Sequence, residues 1–200
     1  GLLPGIKPEA PGPDGSGDRK VQAYNFRMCT TDDPANKLPW EKPANYDERW
    51  YELALRNVEA GDHRISWAPV WMPNRKTDTN NNYAISTDFI GMNWDYPETY
   101  DTHRAEYAVA HEDWEKGLMW TYAHHPGVPE NVRAAFQKLG LAKDEFTDNG
   151  NWPRQMYVRE ARRMISDYVM TEKNCKRQEV VEDSVGMGAY NMDSHNIQRY

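Results

Sequence analysis

The stretch Val21-Gln-Ala-Tyr-Asn-Phe-Arg-Met-Cys29 decides the class of the fold, because it is where ordered structure is expected to begin. Its large apolar residues, at positions 24, 26 and 28, alternate with Asn25 and Arg27. A period of two is typical of a β-strand with one packed face. Asn25 and Arg27 would then point away from the core, towards either solvent or a ligand.

The residues before this strand differ in composition from the rest of the chain. Residues 1–19 are rich in proline and glycine, which predicts a flexible arm without a core of its own. Residues 20–200 are predicted to form a single region. The N-terminus lacks the basic start and apolar core of a signal peptide. Because the chain does not begin with Met, we expect it to be processed, tagged or cut from a longer protein.

Helical patterns appear at four places after the strand. Apolar residues recur there at three- and four-residue steps, over residues 47–61, 103–123, 129–139 and 153–171. Short apolar runs at residues 65–71 and 84–90 predict further strands. The sequence therefore predicts an α+β fold in which three main helices pack on a few mostly antiparallel strands joined by long polar loops.

Nine consecutive polar residues, 74–82, separate two of the predicted strands. Three adjacent asparagines favour turns that bond their own backbone, which predicts a loop. The loop is either simply exposed or held rigidly so that it can bind a polar ligand such as a sugar. In the second case Lys76 and Asp78, as a pair, and the amides of Asn80 and Asn81 are the candidate ligand-binding groups.

The last seventeen residues, 184–200, combine a strand-like pattern with a polar cluster. Apolar residues alternate with Gly186 and Gly188, and small residues on one face allow another backbone or a flat ligand to approach. This predicted strand leads into Asn191, Asp193, Ser194, His195 and Asn196. We expect the cluster to lie near Asn25 and Arg27 and to form one composite pocket with them.

Composition and charge exclude several classes of function. Lys and Arg number 24 against 31 Asp and Glu, so the net charge of −7 argues against a general surface for nucleic acid or anionic membranes. No run of about 18 apolar residues is present, so no membrane span is predicted. Cys29 and Cys175 are too few for a disulfide framework; they form either a single bridge or, as we interpret them, two free thiols.

Two further groups of polar residues lie on the predicted helices. His111 suggests a zinc-protease motif, but Glu115 stands where the second histidine is needed, so His111 is interpreted as a surface residue and no metal is assigned. Arg159, Arg162 and Arg163 lie opposite the apolar stripe of the helix predicted over 153–171. They are either solvated and ion-paired or clamp a partner, a carboxylate or a phosphate.

Five segments in this order resemble the bacterial FAD-dependent oxidoreductases, some of which are labelled xanthan lyase-related. The segments are Val21-Gln-Ala-Tyr-Asn-Phe-Arg27, Lys76-Thr-Asp-Thr-Asn-Asn81, Thr87-Asp-Phe-Ile-Gly91, Tyr157-Val-Arg-Glu-Ala-Arg-Arg163 with Asp167-Tyr-Val169, and Ser184-Val-Gly-Met-Gly with Tyr190-Asn-Met-Asp-Ser-His-Asn196. The resemblance spans nearly all of the chain from Val21 onward. It implies a glutathione-reductase-like flavoprotein whose two-part FAD domain holds an inserted substrate or cap region.

The chain departs from this family at the dinucleotide fingerprint. It has no G-x-G-x-x-G, and the nearest stretch, Gly186-Met-Gly-Ala-Tyr-Asn191, has asparagine at the third glycine and no helical pattern after it. The resemblance therefore covers only the middle, substrate or cap region. FAD is expected in the full-length parent, bound by segments absent from this chain, which are the predicted partners of the region.

The site residues follow from this interpretation. His195 is the candidate for proton transfer, since histidine titrates near neutral pH, and Asp193 or Asn196 is the candidate that orients its ring. The candidates for binding a hydroxylated, carbohydrate-like substrate are Asn25, Arg27, Lys76, Asp78, Asn80, Asn81 and Asn196. Two alternatives remain open: a non-catalytic carbohydrate-binding or interaction module, and a polysaccharide lyase that uses Tyr190, His195 and Arg199.

Overall fold

The computed structural model describes residues 1–64, 67–190 and 192–200. Its strands are β1 (Cys29–Thr31), β2 (Lys37–Leu38), β3 (Trp67–Met72), β4 (Lys76–Asn81) and β5 (Gly140–Ala142). Its helices are α1 (Glu52–Glu59), α2 (Asp101–His124), α3 (Glu130–Gln137) and the short α4 (Glu172–Cys175). Single 3-10 turns occur at Glu48–Trp50, Pro73–Arg75 and Tyr96–Glu98.

The five strands form one sheet in the order β2-β5-β1-β4-β3, and every neighbouring pair is antiparallel. The longest pairing joins β3 to β4 over six residues each. The α+β class with mainly antiparallel strands is therefore confirmed, and α1, α2 and α3 are the main helices of the described residues. None of the described helices combines the length and the apolar character that a membrane span needs.

The polar stretch predicted as a loop is instead an internal strand, β4, which lies between β1 and β3. Thr77 and Thr79 point into the protein and are almost completely buried. The hydroxyl of Thr79 donates to the carbonyl oxygen of Met28 at 2.7 Å, and the hydroxyl of Thr77 bonds that of Thr30 on β1. A buried strand tolerates these polar side chains because each of the two hydroxyls has a partner.

Aromatic side chains hold the helices against each other and against the sheet. Tyr51, just before α1, stacks on Trp114 of α2 with ring centroids 5.2 Å apart. Trp67 of β3 stacks on Phe136 of α3 at 5.6 Å. Burial of each such side chain contributes about 1.5–3 kcal/mol of transfer free energy, so these contacts fix how the layers pack.

The stretch of residues 21–29 is mostly buried but mostly does not form a strand. Only its last residue, Cys29, belongs to β1, and upstream a single bridge pairs Asn25 with Tyr157. Tyr24 and Phe26 are buried as expected. The prediction that Asn25 faces solvent or a ligand is wrong, because its side chain is fully buried and bonds other protein groups.

The helix predicted over residues 153–171 does not form. That segment is irregular, and α2 is the longest helix of the described residues. The side chains that should have formed its apolar stripe are exposed, Met164 at 82% and Ile165 at 100%. An isolated helix gains most of its stability from packing an apolar face, and this segment has no surface to pack on.

The strand predicted at residues 184–190 does not form either, since Val185 and Met187 are fully exposed and pair with no other strand. Residues 84–90 turn and bend rather than forming a strand, although Ile85 to Ile90 are buried. The strand predicted at 65–71 is β3, which begins at Trp67. Ile65, Ser66 and Asn191 lie outside the described residues.

Two predictions about single residues have different outcomes. His111 is not a surface residue, because it is completely buried between α2 and the aromatic core, with Phe89 at 5.2 Å between ring centroids. Cys29 and Cys175 are free, as predicted.

Candidate active site

The centre of the site is Asp88, in the buried turn that follows β4. The backbone N–H of Phe89 donates to the carbonyl oxygen of Tyr24 at 3.1 Å, which ties this turn to the buried segment before β1. The Asp88 side chain is only 3% exposed. A carboxylate so deeply buried needs charged or hydrogen-bonding partners, and Asp88 has two.

The first partner of Asp88 is Arg159, whose Nη1 donates to Asp88 Oδ1 at 3.0 Å. The Arg159 side chain is 8% exposed and also donates to Asn25 Oδ1 at 3.0 Å and to the carbonyl oxygen of Ala23. Of the two interpretations of the arginines, solvation is therefore wrong for Arg159. Asn25 completes the network by donating to the hydroxyl of Thr87 at 3.0 Å.

The second partner is His195, whose Nδ1 lies 2.7 Å from Asp88 Oδ2. The backbone N–H of His195 donates to Gln22 Oε1 at 2.6 Å, which fixes the residue beside the buried segment. Its Nε2 lies 3.7 Å from Oδ1 of the exposed Asp193. Because an Nδ1–H directed at a carboxylate fixes the tautomer, Nε2 is the ring nitrogen left to exchange a proton.

A polar cavity of about 280 Å³ lies beside this pair. It is lined by Asn80, Asn81, Tyr83, Ser86, Asp88, Ile90, Asp193, Ser194, His195 and Asn196. Five of the nine predicted site residues are among them, drawn from the end of β4 and from the tail. The tail reaches this position because the backbone N–H of Ala23 donates to the carbonyl oxygen of Asn196 at 3.2 Å.

The other four predicted site residues do not line this cavity. Arg27 Nε donates to Asp78 Oδ1 at 2.9 Å, so these two side chains pair with each other across the sheet. Lys76 pairs with Asp144 at 2.9 Å rather than with Asp78. Asn25 reaches His195 only indirectly, through Arg159 and Asp88, so the expected direct composite pocket is replaced by a buried network.

Asp88, Arg159 and Ser86 line or support the site but were not predicted as site residues from the sequence. The available signal was an acidic residue within the apolar run of residues 85–90, since an acid there must find a charged partner. The partner could not be identified in this way, because Arg159 is 71 residues further along the chain.

Two buried titratable residues lie behind Asp88 on successive turns of α2. Burial raises the pKa of Glu115 well above its ordinary value, and the Asp88 carboxylate adds to this. Burial lowers the pKa of His111 to about 4, against a hydrogen bond with the Tyr107 carbonyl oxygen and the charge of Asp88. Burial therefore favours the uncharged form of both groups.

The described residues do not provide a cradle for the pyrophosphate of a dinucleotide. Gly186 and Gly188 are exposed, and a Cβ added at either would have no neighbour within 4 Å. Over the described tail no helix follows whose N-terminus could bind a phosphate. The described part of the chain also contains no group of three or more His, Cys, Asp or Glu placed to hold a metal ion.

Comparison with known proteins identifies the family. The model of the FAD dependent oxidoreductase family matches residues 5–200. No curated protein and no solved structure matches the chain. FAD is the cofactor implied by this family. The chain therefore belongs to the FAD dependent oxidoreductases.

Proposed function

We propose that residues 20–200 form the substrate-facing region of an FAD-dependent oxidoreductase and that His195, held by Asp88, is its acid–base group. The observation that carries this proposal is the 2.7 Å contact between His195 Nδ1 and a carboxylate that is 3% exposed. The contact lies at the wall of a polar cavity. A histidine held by a buried carboxylate at the wall of a cavity is the arrangement that general acid–base catalysis uses.

The proposed chemistry is proton transfer at Nε2. Asp88 accepts the Nδ1–H, so the Nε2 lone pair can take the proton of a substrate hydroxyl placed in the cavity. The imidazolium that forms lies between Asp88 and Asp193, two carboxylates that stabilise its charge. Arg159 keeps the Asp88 carboxylate in place and is a positioning residue, because it does not line the cavity.

The lining of the cavity supports a neutral, hydroxylated substrate of carbohydrate type. Asn80, Asn81 and Asn196 offer amides, while Ser86 and Ser194 offer hydroxyls. These groups both donate and accept hydrogen bonds, as a polyol requires. At about 280 Å³ the cavity is near the lower end of ligand sites, which favours a ligand of about monosaccharide size.

We propose further that the FAD-binding segments belong to a longer parent and pack on this region, in the two-part arrangement of the glutathione-reductase-like proteins. Exposed apolar side chains support this, since Met164, Ile165, Val185 and Met187 are 82–109% exposed. Such residues commonly mark an interaction surface. The absence of a phosphate cradle in the described residues agrees with a flavin held elsewhere.

The test uses the full-length, flavin-loaded parent and a panel of sugars and sugar alcohols, with anaerobic bleaching of the flavin's visible absorbance as the readout. His195→Gln should slow bleaching by at least about a hundredfold, the usual contribution of a positioned acid–base group. His103→Gln, which changes an exposed histidine of α2, is the matched control and should have no effect. Equal bleaching rates for His195→Gln and wild type would refute the assignment.

A carbohydrate-binding module without catalysis is the second candidate, favoured by Tyr83 beside Asn81 at the same cavity. Calorimetry of the 200-residue chain with mono- and oligosaccharides distinguishes the two. Saturable binding that survives His195→Gln, in a parent that never reduces its flavin with any bound sugar, would support the module. The lyase alternative has no supporting geometry, since Tyr190 is 92% exposed and Arg199 donates to the carbonyl oxygen of Ala84.

A further inference from the structure

A second cavity, of about 500 Å³, lies on the other side of the Asp88 turn. The turn separates the two cavities: Asp88 lines the polar one, and the next residue, Phe89, lines this one. Its walls come from the residues that lead into α1 and from one side of α2. The sugar-type chemistry proposed above does not involve it.

The walls of this aromatic cavity are preformed. Phe89 stacks on Trp114 with ring centroids 5.0 Å apart, and Tyr51 stacks on the same indole at 5.2 Å. Trp50 packs edge-on against Phe89 at 5.3 Å. Behind Trp50 lies Gly5, where an added Cβ would come 3.3 Å from the indole, so the arm also holds this wall. A ligand would therefore meet rings that are already fixed, which lowers the entropic cost of binding.

Among the described residues, three carboxylates line this cavity, Asp47, Glu106 and Asp113, and no lysine, arginine or histidine does. Two cationic side chains lie over its rings, Lys42 over Tyr46 at 4.6 Å and Arg199 over Trp114 at 5.7 Å. Asp47 is paired with Arg49 at 2.6 Å. Asp113 accepts from the amide of Asn45 at 2.5 Å, a neutral partner. Among the described residues neither Asp113 nor Glu106 has a cationic partner, since the ion pairs within α2 involve other residues.

We propose that the aromatic cavity binds a small organic cation, a quaternary ammonium or a protonated amine with an apolar body. Ring faces attract a cation through their quadrupole, and the attraction is larger where water is displaced. Glu106 and Asp113, two helical turns apart on α2, supply the complementary charge at the same cavity.

The test compares choline with 3,3-dimethyl-1-butanol, its neutral isostere, by calorimetry on the 200-residue chain at low ionic strength. Choline should bind about tenfold more tightly, because cation–π and ionic attraction together exceed about 1.4 kcal/mol. Glu106→Gln and Asp113→Asn should each weaken the binding of choline several-fold and leave the affinity for the alcohol unchanged. Asp101→Asn removes a 99% exposed charge from the same helix and is the matched control.

The outcomes decide the proposal in either direction. A preference for choline that the double variant Glu106→Gln/Asp113→Asn abolishes, and that Asp101→Asn keeps, supports it. Equal binding of the two probes, absence of saturable choline binding, or a preference that survives the double variant would overturn it. Circular dichroism of each variant verifies that the loss of binding is not a loss of folding.

Discussion

Replacing Asp88 by asparagine tests the buried network at its centre. The substitution keeps the shape of the side chain but leaves the Arg159 guanidinium, 8% exposed, without its counter-charge. Removing one member of a buried ion pair usually costs about 3–5 kcal/mol. Arg159 retains two neutral acceptors, Asn25 and the Ala23 carbonyl oxygen, so we expect the lower end, about 3 kcal/mol.

Urea unfolding followed by tryptophan fluorescence measures this loss. With a slope of about 2 kcal/mol per molar urea, the midpoint of Asp88→Asn should fall by about 1.5 M. The matched control is Glu98→Gln, which removes the carboxylate of an ion pair with Arg162 at 3.0 Å. Because those side chains are 73% and 64% exposed, the control should cost less than about 1 kcal/mol.

Similar losses of stability in Asp88→Asn and Glu98→Gln would refute the reasoning. Equal losses below about 1 kcal/mol would mean that water reaches Arg159 and replaces the lost charge, so that the pair is not buried in solution. The acid–base proposal would then lose its structural basis, because water would compete with Asp88 for the Nδ1–H of His195 and the ring would not be held in one tautomer.

Three further predictions concern buried polar groups. Burial raises the pKa of Glu115 in the folded protein, so the free energy of unfolding should fall as pH rises above the ordinary glutamate pKa, by up to about 1.4 kcal/mol per pH unit, until the pH reaches the raised pKa. Glu115→Gln should flatten this slope in urea titrations. Burial lowers the pKa of His111 to about 4, so the unfolded chain binds a proton there at a higher pH than the folded protein does. The free energy of unfolding should therefore fall by about 3 kcal/mol as pH falls from 6.5 to 4, and His111→Gln should remove that loss. Thr77→Val leaves the buried Thr30 hydroxyl unpaired and should lower the free energy of unfolding by about 1–3 kcal/mol. The double variant Thr30→Val/Thr77→Val should recover most of that loss. Unchanged stability in the single variant would show that the hydroxyl pair does not form.

The sequence pattern predicted those elements that pack through a single apolar face. The helix predicted at 103–123 corresponds to α2, because its apolar residues pack on the core at the spacing read from the sequence. β4 could not be predicted in the same way. Its threonines are acceptable inside the sheet only because Thr30 and Met28, about fifty residues earlier, provide partners for their hydroxyls. A polar pattern alone does not contain that information.

The candidate site shows the same division between local and distant information. His195, Asp193 and Asn196 could be proposed from the tail alone, since polar residues cluster there. Asp88 could have been suspected from its apolar neighbours. Its ion pair with Arg159 could not, because that arginine lies 71 residues further along the chain and the helical pattern of residues 153–171 named no partner for it.

Two of the wrong predictions of regular structure, those at 153–171 and 184–190, have a common physical cause. Each segment has apolar residues at a regular spacing, helical in the first and strand-like in the second, and each leaves them exposed in this structure. Periodicity reports which side chains would be buried together if a partner surface existed, and it does not report whether that surface belongs to the same 200 residues. The proposed contact with FAD-binding segments would supply the surface for both. On that proposal residues 153–171 and 184–190 gain regular structure only when the FAD-binding segments are present. We therefore expect amide exchange at 153–171 and 184–190 to be slower in the full-length protein than in this chain.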